Sequence, residues 1–112
     1  MVFNVLVSNR DDHLRNHGFL RTASGWRLAP AFDLNPNLDK HDHALLLDEA
    51  SAEPRIDTVL ATAEYYRLSA KRAGEVVSNV NAIVKTWKTI AASVGLARAE
   101  IQRMAAAFEH QV

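Results

Sequence analysis

Between Ser69 and Gly95, apolar residues recur at helical steps: Ala73, Val76, Val77, Val80, Ile83, Val84, Trp87, Ile90, Ala91 and Val94. Ser69 stands where a helix N-cap belongs, and Gly95 where a C-cap glycine belongs. This predicts one long helix over 69–94. It is flanked by a shorter stripe (Ile56, Val59, Leu60, Ala63) and a later one (Ile101, Met104, Ala105, Phe108). An isolated amphipathic helix buries nothing, so three such helices must pack on each other and on the rest of the chain.

The remainder differs in composition. The part before Arg55 holds all three prolines and four of the five histidines. Met1 to Ser8 reads as the end of a buried helix or as a short strand. Asn9 to Asn16 is a polar turn. Gly18-Phe-Leu-Arg and Gly25-Trp-Arg-Leu flank Thr22-Ala-Ser, which predicts a small hairpin over residues 18 to 28. His43-Ala-Leu-Leu-Leu reads as a further short strand or extended segment. With 112 residues the chain suits one domain, with 1–55 a polar, turn-rich segment and 56–112 a helical bundle. The fold class is mainly α, α+β overall.

Formal net charge is zero, so the basic excess of a duplex-binding domain is missing and no direct nucleic-acid binding is expected. The chain has no cysteine, which excludes disulfides and thiolate metal sites. No signal peptide and no membrane span is read, so a cytoplasmic location is expected.

Chemistry concentrates in Asn9-Arg-Asp-Asp-His-Leu-Arg-Asn-His and in Leu28-Ala-Pro-Ala-Phe-Asp-Leu. Phosphoryl transfer from ATP needs a carboxylate at the attacking hydroxyl and hard oxygen ligands for magnesium. Kinases place an Asp and, five positions later, an Asn on one loop, with another Asp after a short hairpin. Asp11, Asn16 and Asp33 have that order. Spacing alone leaves a plain alternative, in which these residues end a helix and build a turn.

The wording is more specific than the spacing. Asp-Asp-His-Leu-Arg-Asn-His-Gly-Phe followed by Leu-Ala-Pro-Ala-Phe-Asp-Leu-Asn-Pro resembles the signature of the HipA-like serine/threonine protein kinases, toxins of toxin-antitoxin modules. That family uses an Asp-x-His-x-x-Asn loop and a Pro-x-aromatic-Asp metal motif. His43-Ala-Leu, Tyr66-Arg-Leu-Ser, Trp87 and Met104 to Phe108 resemble its helical end, so the likeness covers nearly the whole chain. It implies the helical C-terminal lobe of a kinase-like fold, with Asp11 as catalytic base, Asn16 and Asp33 as magnesium ligands, and His13 and Phe32 near the nucleotide. It also implies Mg-ATP as cofactor, a protein substrate and a small DNA-binding antitoxin as partner. Asp12 stands four residues from Asn16 and ranks below Asp11. The family often has a smaller residue at its position.

Other residues admit simpler readings. His13, His17, His41 and His43 with Asp39 and Asp42 match no closed zinc pattern and read as a solvated loop. Arg15 reads equally as a phosphate ligand or a surface arginine. Trp26 and Trp87 read as core anchors. The glycines at 18, 25, 74 and 95 are isolated, so the phosphate-covering loop of a kinase N-lobe is not found, nor its lysine. The chain is therefore expected to be an excised or truncated lobe that binds ATP weakly by itself. Apolar surface around Val2, Phe3, Val5 and Leu6 is expected to be exposed and to favour a homodimer. The alternative function is a non-catalytic helical module that binds a partner protein.

Overall fold

A computed structural model describes residues 1–110. Its elements run α1 (Val2–Leu6), β1 (Phe19–Thr22), β2 (Gly25–Leu28), α2 (Ile56–Ala61), α3 (Ala70–Val84), α4 (Trp87–Ser93) and α5 (Arg98–Phe108). Single 3-10 turns occupy Leu14–Asn16 and Ala63–Tyr66. The chain is thus α+β: helices with one two-stranded antiparallel sheet.

α3 begins as its sequence predicts. Ser69 is extended and its hydroxyl accepts the Arg72 N–H at 3.2 Å. The expected single helix over 69–94 is instead two. At Lys85-Thr86 the Thr86 N–H turns to the Ile83 carbonyl at 3.0 Å, and the Thr86 hydroxyl donates to the same oxygen at 2.8 Å. That local bond competes with the helical ladder, and α4 restarts beyond it. α4 ends in a Schellman motif, with Leu96 N–H on Ala91 O and Gly95 N–H on Ala92 O, both at 3.1 Å. Gly95 takes φ +87°, open to glycine without strain.

α1 settles the choice left open for Met1 to Ser8: it is a helix, and it is central. Val5 packs with Leu47 and Val59, while Leu6 and Val7 pack with Val84. Phe108 of α5 joins the second cluster and stacks on Trp87, ring centroids 4.5 Å apart. Two expectations change here. Val5 and Leu6 are buried, because α2 and α3 close over α1; Phe3 remains exposed. Trp87 is an anchor, but Trp26 is 68% exposed on the hairpin with Arg21 over its ring.

The hairpin forms where expected, pairing Phe19 with Leu28 and Thr22 with Gly25. His43 to Leu47 is not a strand. The Asp48 carboxylate accepts the N–H groups of Ala50 and Ser51 at 2.7 Å each, reversing the chain; His43 N–H to Ala52 O and Leu47 N–H to Ser51 O close the loop, and Ala44 N–H bonds Arg10 O. The helical stripes are also only partly covered: Ala73, Val84 and Ala91 are buried, whereas Ile83, Ile90 and Val94 face an open apolar groove of about 540 Å³. Accessible surface totals 8037 Å², against about 6,100 Å² for a monomeric domain of this mass. No helix among the described residues is long and apolar enough to cross a membrane.

Candidate active site

The loop after α1 is pinned from beneath. Ser8 adopts φ +55° and is buried; its hydroxyl donates to Ala107 O at 3.0 Å, which ties the end of α1 to α5. Asn9 is buried as well, and its carboxamide donates to Asn4 Oδ1 at 3.1 Å. Asn4 in turn donates to Asp12 Oδ2 at 2.7 Å. The other Asp12 oxygen lies 2.9 Å from His17 Nε2. Asp12 therefore points inward, toward a cleft of about 430 Å³ walled by Leu28, Leu47 and His43.

Asp11 points the other way. It is exposed, and its carboxylate is paired with the Lys40 ammonium. That ion pair holds the Asp11 carboxyl below the usual carboxylate range, with His13 and Arg15 adding smaller effects of the same sign. Adjacent aspartates thus have opposite environments. One is bound on both oxygens within the fold; the other faces solvent and is held ionised.

Asn16 closes the 3-10 turn Leu14–Asn16, its N–H on His13 O at 2.8 Å, and it is buried. His13 is half-buried, and its Nδ1 is buried with no hydrogen-bond partner among the described residues. Beyond Asn16 the hairpin turns the chain back, and Ala29 N–H bonds Gly18 O at 2.8 Å. A Cβ placed on Gly18 would lie 3.9 Å from the Phe32 ring, so the second motif returns beside the end of the first. Phe32 is half exposed. Asp33 follows in the left-handed region, φ +56°, with its Oδ1 accepting the Asn35 carboxamide at 2.8 Å. A non-glycine residue held there is uncommon and concentrates at functional positions. No hydrogen bond joins Asp11, Asn16 and Asp33 to one another among the described residues.

Asn16 and Asp33 offer a carboxamide and a carboxylate, hard oxygen donors of the kind magnesium takes in small number beside phosphates and water. The donor set fits that ion. The histidines do not assemble with them. His41 is exposed and paired with Asp42 at 2.8 Å, a solvated loop as expected. His43 is not solvated: it is buried, and burial, with the Arg10 guanidinium, pushes its imidazole below the usual range.

The residues that sequence reasoning missed are Asn4, Arg10 and Lys40. Lys40 carried a signal, being the only Lys or Arg between Arg27 and Arg55. Asn4 and Arg10 carried none, because their partners are fixed only by the fold.

Compared with known families, residues 1–111 match the family model described as the HipA-like C-terminal domain. No curated protein and no solved structure matches the chain.

Proposed function

The chain belongs to the HipA-like C-terminal domain family, and on that premise we propose that it is the C-terminal catalytic lobe of a serine/threonine protein kinase. In this reading it acts within a toxin-antitoxin module whose partner is a small DNA-binding antitoxin. The observation that carries the reading is the opposed pair Asp11 and Asp12. The loop is anchored through Asp12, while Asp11 is exposed beside the Lys40 ammonium and open to an incoming hydroxyl.

Asp11 would accept or orient the proton of the attacking hydroxyl, which needs a carboxylate that is deprotonated and accessible. Asn16 and Asp33 would hold magnesium, and bound Mg-ATP supplies the phosphoryl group together with charge neutralisation at the phosphates. His13 and Phe32 would line the nucleotide side of the site. The accessible surface, well above that of a monomer of this mass, supports a lobe that is covered by further protein in its working state. The hairpin agrees: Phe19, Trp26 and Leu28 are each more than half exposed. That same surface is what favours the second reading, a non-catalytic module that binds a partner through it.

A phosphate-transfer assay on the protein containing this chain separates the two. Incorporation of labelled phosphate into a protein hydroxyl, lost on Asp11→Asn, is expected for the kinase. No incorporation by the unaltered protein would leave the binding module, whereas undiminished incorporation by Asp11→Asn would keep the kinase and assign its base to another residue.

A further inference from the structure

The loop that follows Asp33 is bound back onto the residues just before Asp11. Asn37 N–H donates to Ser8 O at 2.8 Å. The Asn37 side-chain oxygen accepts the N–H groups of Asp39 and Lys40 at 3.0 and 3.1 Å, a tight turn that sets the direction of Lys40. Arg10 then donates from one Nη1 to Lys40 O at 2.8 Å and to His41 O at 2.6 Å. Lys40 is therefore fixed on both sides to the segment Ser8–Arg10, one residue from the carboxylate its ammonium contacts. A solvent-exposed Lys–Asp pair contributes little to stability. A clamp of five hydrogen bonds, four of them made by the Asn37 and Arg10 side chains, around an ion pair of negligible stabilising value is better explained by what it does to Asp11.

We propose that Lys40 is a positioning residue of the phosphoryl-transfer site, holding the Asp11 carboxylate in place for the incoming hydroxyl. The proposal rests on the kinase reading. His13 and Arg15 also face Asp11, but neither contacts it.

Two measurements test it. The first is carbon-13 NMR titration of the Asp11 carboxyl in the chain itself, comparing the unaltered protein with Lys40→Met and Lys40→Arg. Lys40→Met is expected to raise the Asp11 midpoint and Lys40→Arg to keep it low, with the amide spectrum otherwise unchanged. An Asp11 midpoint that does not move in Lys40→Met overturns the proposal whether or not the protein is a kinase. The second is steady-state phosphate transfer in the protein containing this chain. Lys40→Met is expected to lower kcat roughly 10- to 100-fold with KM for ATP little changed, and Lys40→Arg to restore most of it. A rise in KM with kcat intact would also overturn it, since Lys40 would then serve binding. If the unaltered protein transfers no phosphate, the kinase reading fails, and the titration still decides whether Lys40 controls Asp11.

Discussion

Asn4 and Asp12 lie eight residues apart and share a 2.7 Å hydrogen bond that joins the middle of α1 to the loop beyond it. Asn4 is buried and donates from the same carboxamide whose oxygen accepts from Asn9. Removing the Asp12 carboxylate would leave that donor inside the protein without its partner, and His17 without its anion.

Asp12→Ala is accordingly expected to lower unfolding free energy by about 1–3 kcal/mol, the range for stranding a buried polar group. Asp11→Ala, at an exposed position, is expected to stay within about 0.5 kcal/mol. Urea denaturation of the two variants checks this. Equal midpoints would mean that the loop is not held through Asp12.

His43 gives the fold a pH dependence. Burial, with Arg10 beside it, depresses its folded-state pKa below the unfolded value of about 6.5. On acidification the unfolded chain takes up the proton first. Stability from this group is therefore intact above about pH 6.5 and is lost as pH falls from there toward the depressed folded value. His43→Leu, similar in size and without the titrating ring, is expected to flatten the stability profile below about pH 6.5. Parallel profiles for the two proteins would assign the loss to other groups.

Two glycines in the helical part make a paired test of backbone conformation. Gly95 has φ +87° at the end of α4, so Gly95→Ala is expected to cost about 1–2 kcal/mol. Gly74 lies inside α3, and a Cβ there would meet nothing within 4 Å. Gly74→Ala is expected to stabilise by roughly 0.5–1 kcal/mol through reduced freedom of the unfolded chain. Thermal melts of both variants, shifted in opposite directions, are the expected result.

Local features were the legible ones. Ser69, Gly95 and Gly25 announced a cap, a helix end and a turn, because each acts through bonds to residues within a few positions. Helical periodicity was legible too, yet it ran through Lys85-Thr86 unbroken. The interruption there depends on a threonine hydroxyl finding the Ile83 carbonyl, which no apolar pattern encodes. Trp26 and the stretch from His43 to Leu47 misled for a related reason. Residue type gave each a core or strand role, but burial and pairing are settled by distant chain, and none of the described residues covers Trp26, which stays 68% exposed. In the candidate site, spacing and wording single out Asp11, Asn16 and Asp33, whose roles belong to the proposal. The inward turn of Asp12 and the contact between Lys40 and Asp11 span α1 and a long loop, so only the fold reveals them.

The sharpest functional prediction separates Asp11 from Asp33 in the protein containing this chain. A base acts on the attacking hydroxyl, so Asp11→Ala is expected to cut phosphate transfer roughly 10²–10⁴-fold while magnesium-dependent nucleotide affinity holds. Asp33→Ala removes a charged oxygen donor from the metal, so affinity and turnover are expected to fall together. Asn16→Ala is expected between them, a neutral oxygen contributing less than a carboxylate. Calorimetry of Mg-ATP binding beside steady-state rates supplies both readouts. The 112-residue chain alone, with no glycine-rich phosphate loop in its sequence, is expected to bind Mg-ATP weakly in the same calorimeter. The control is Asp12→Ala, corrected for its lower stability by assaying well below its melting temperature. Because both Asp12 oxygens are engaged by Asn4 and His17, its loss is expected to cost less activity than loss of Asp11. If Asp12→Ala proves the more damaging change under those conditions, the base lies one residue further along and the loop works in a different register.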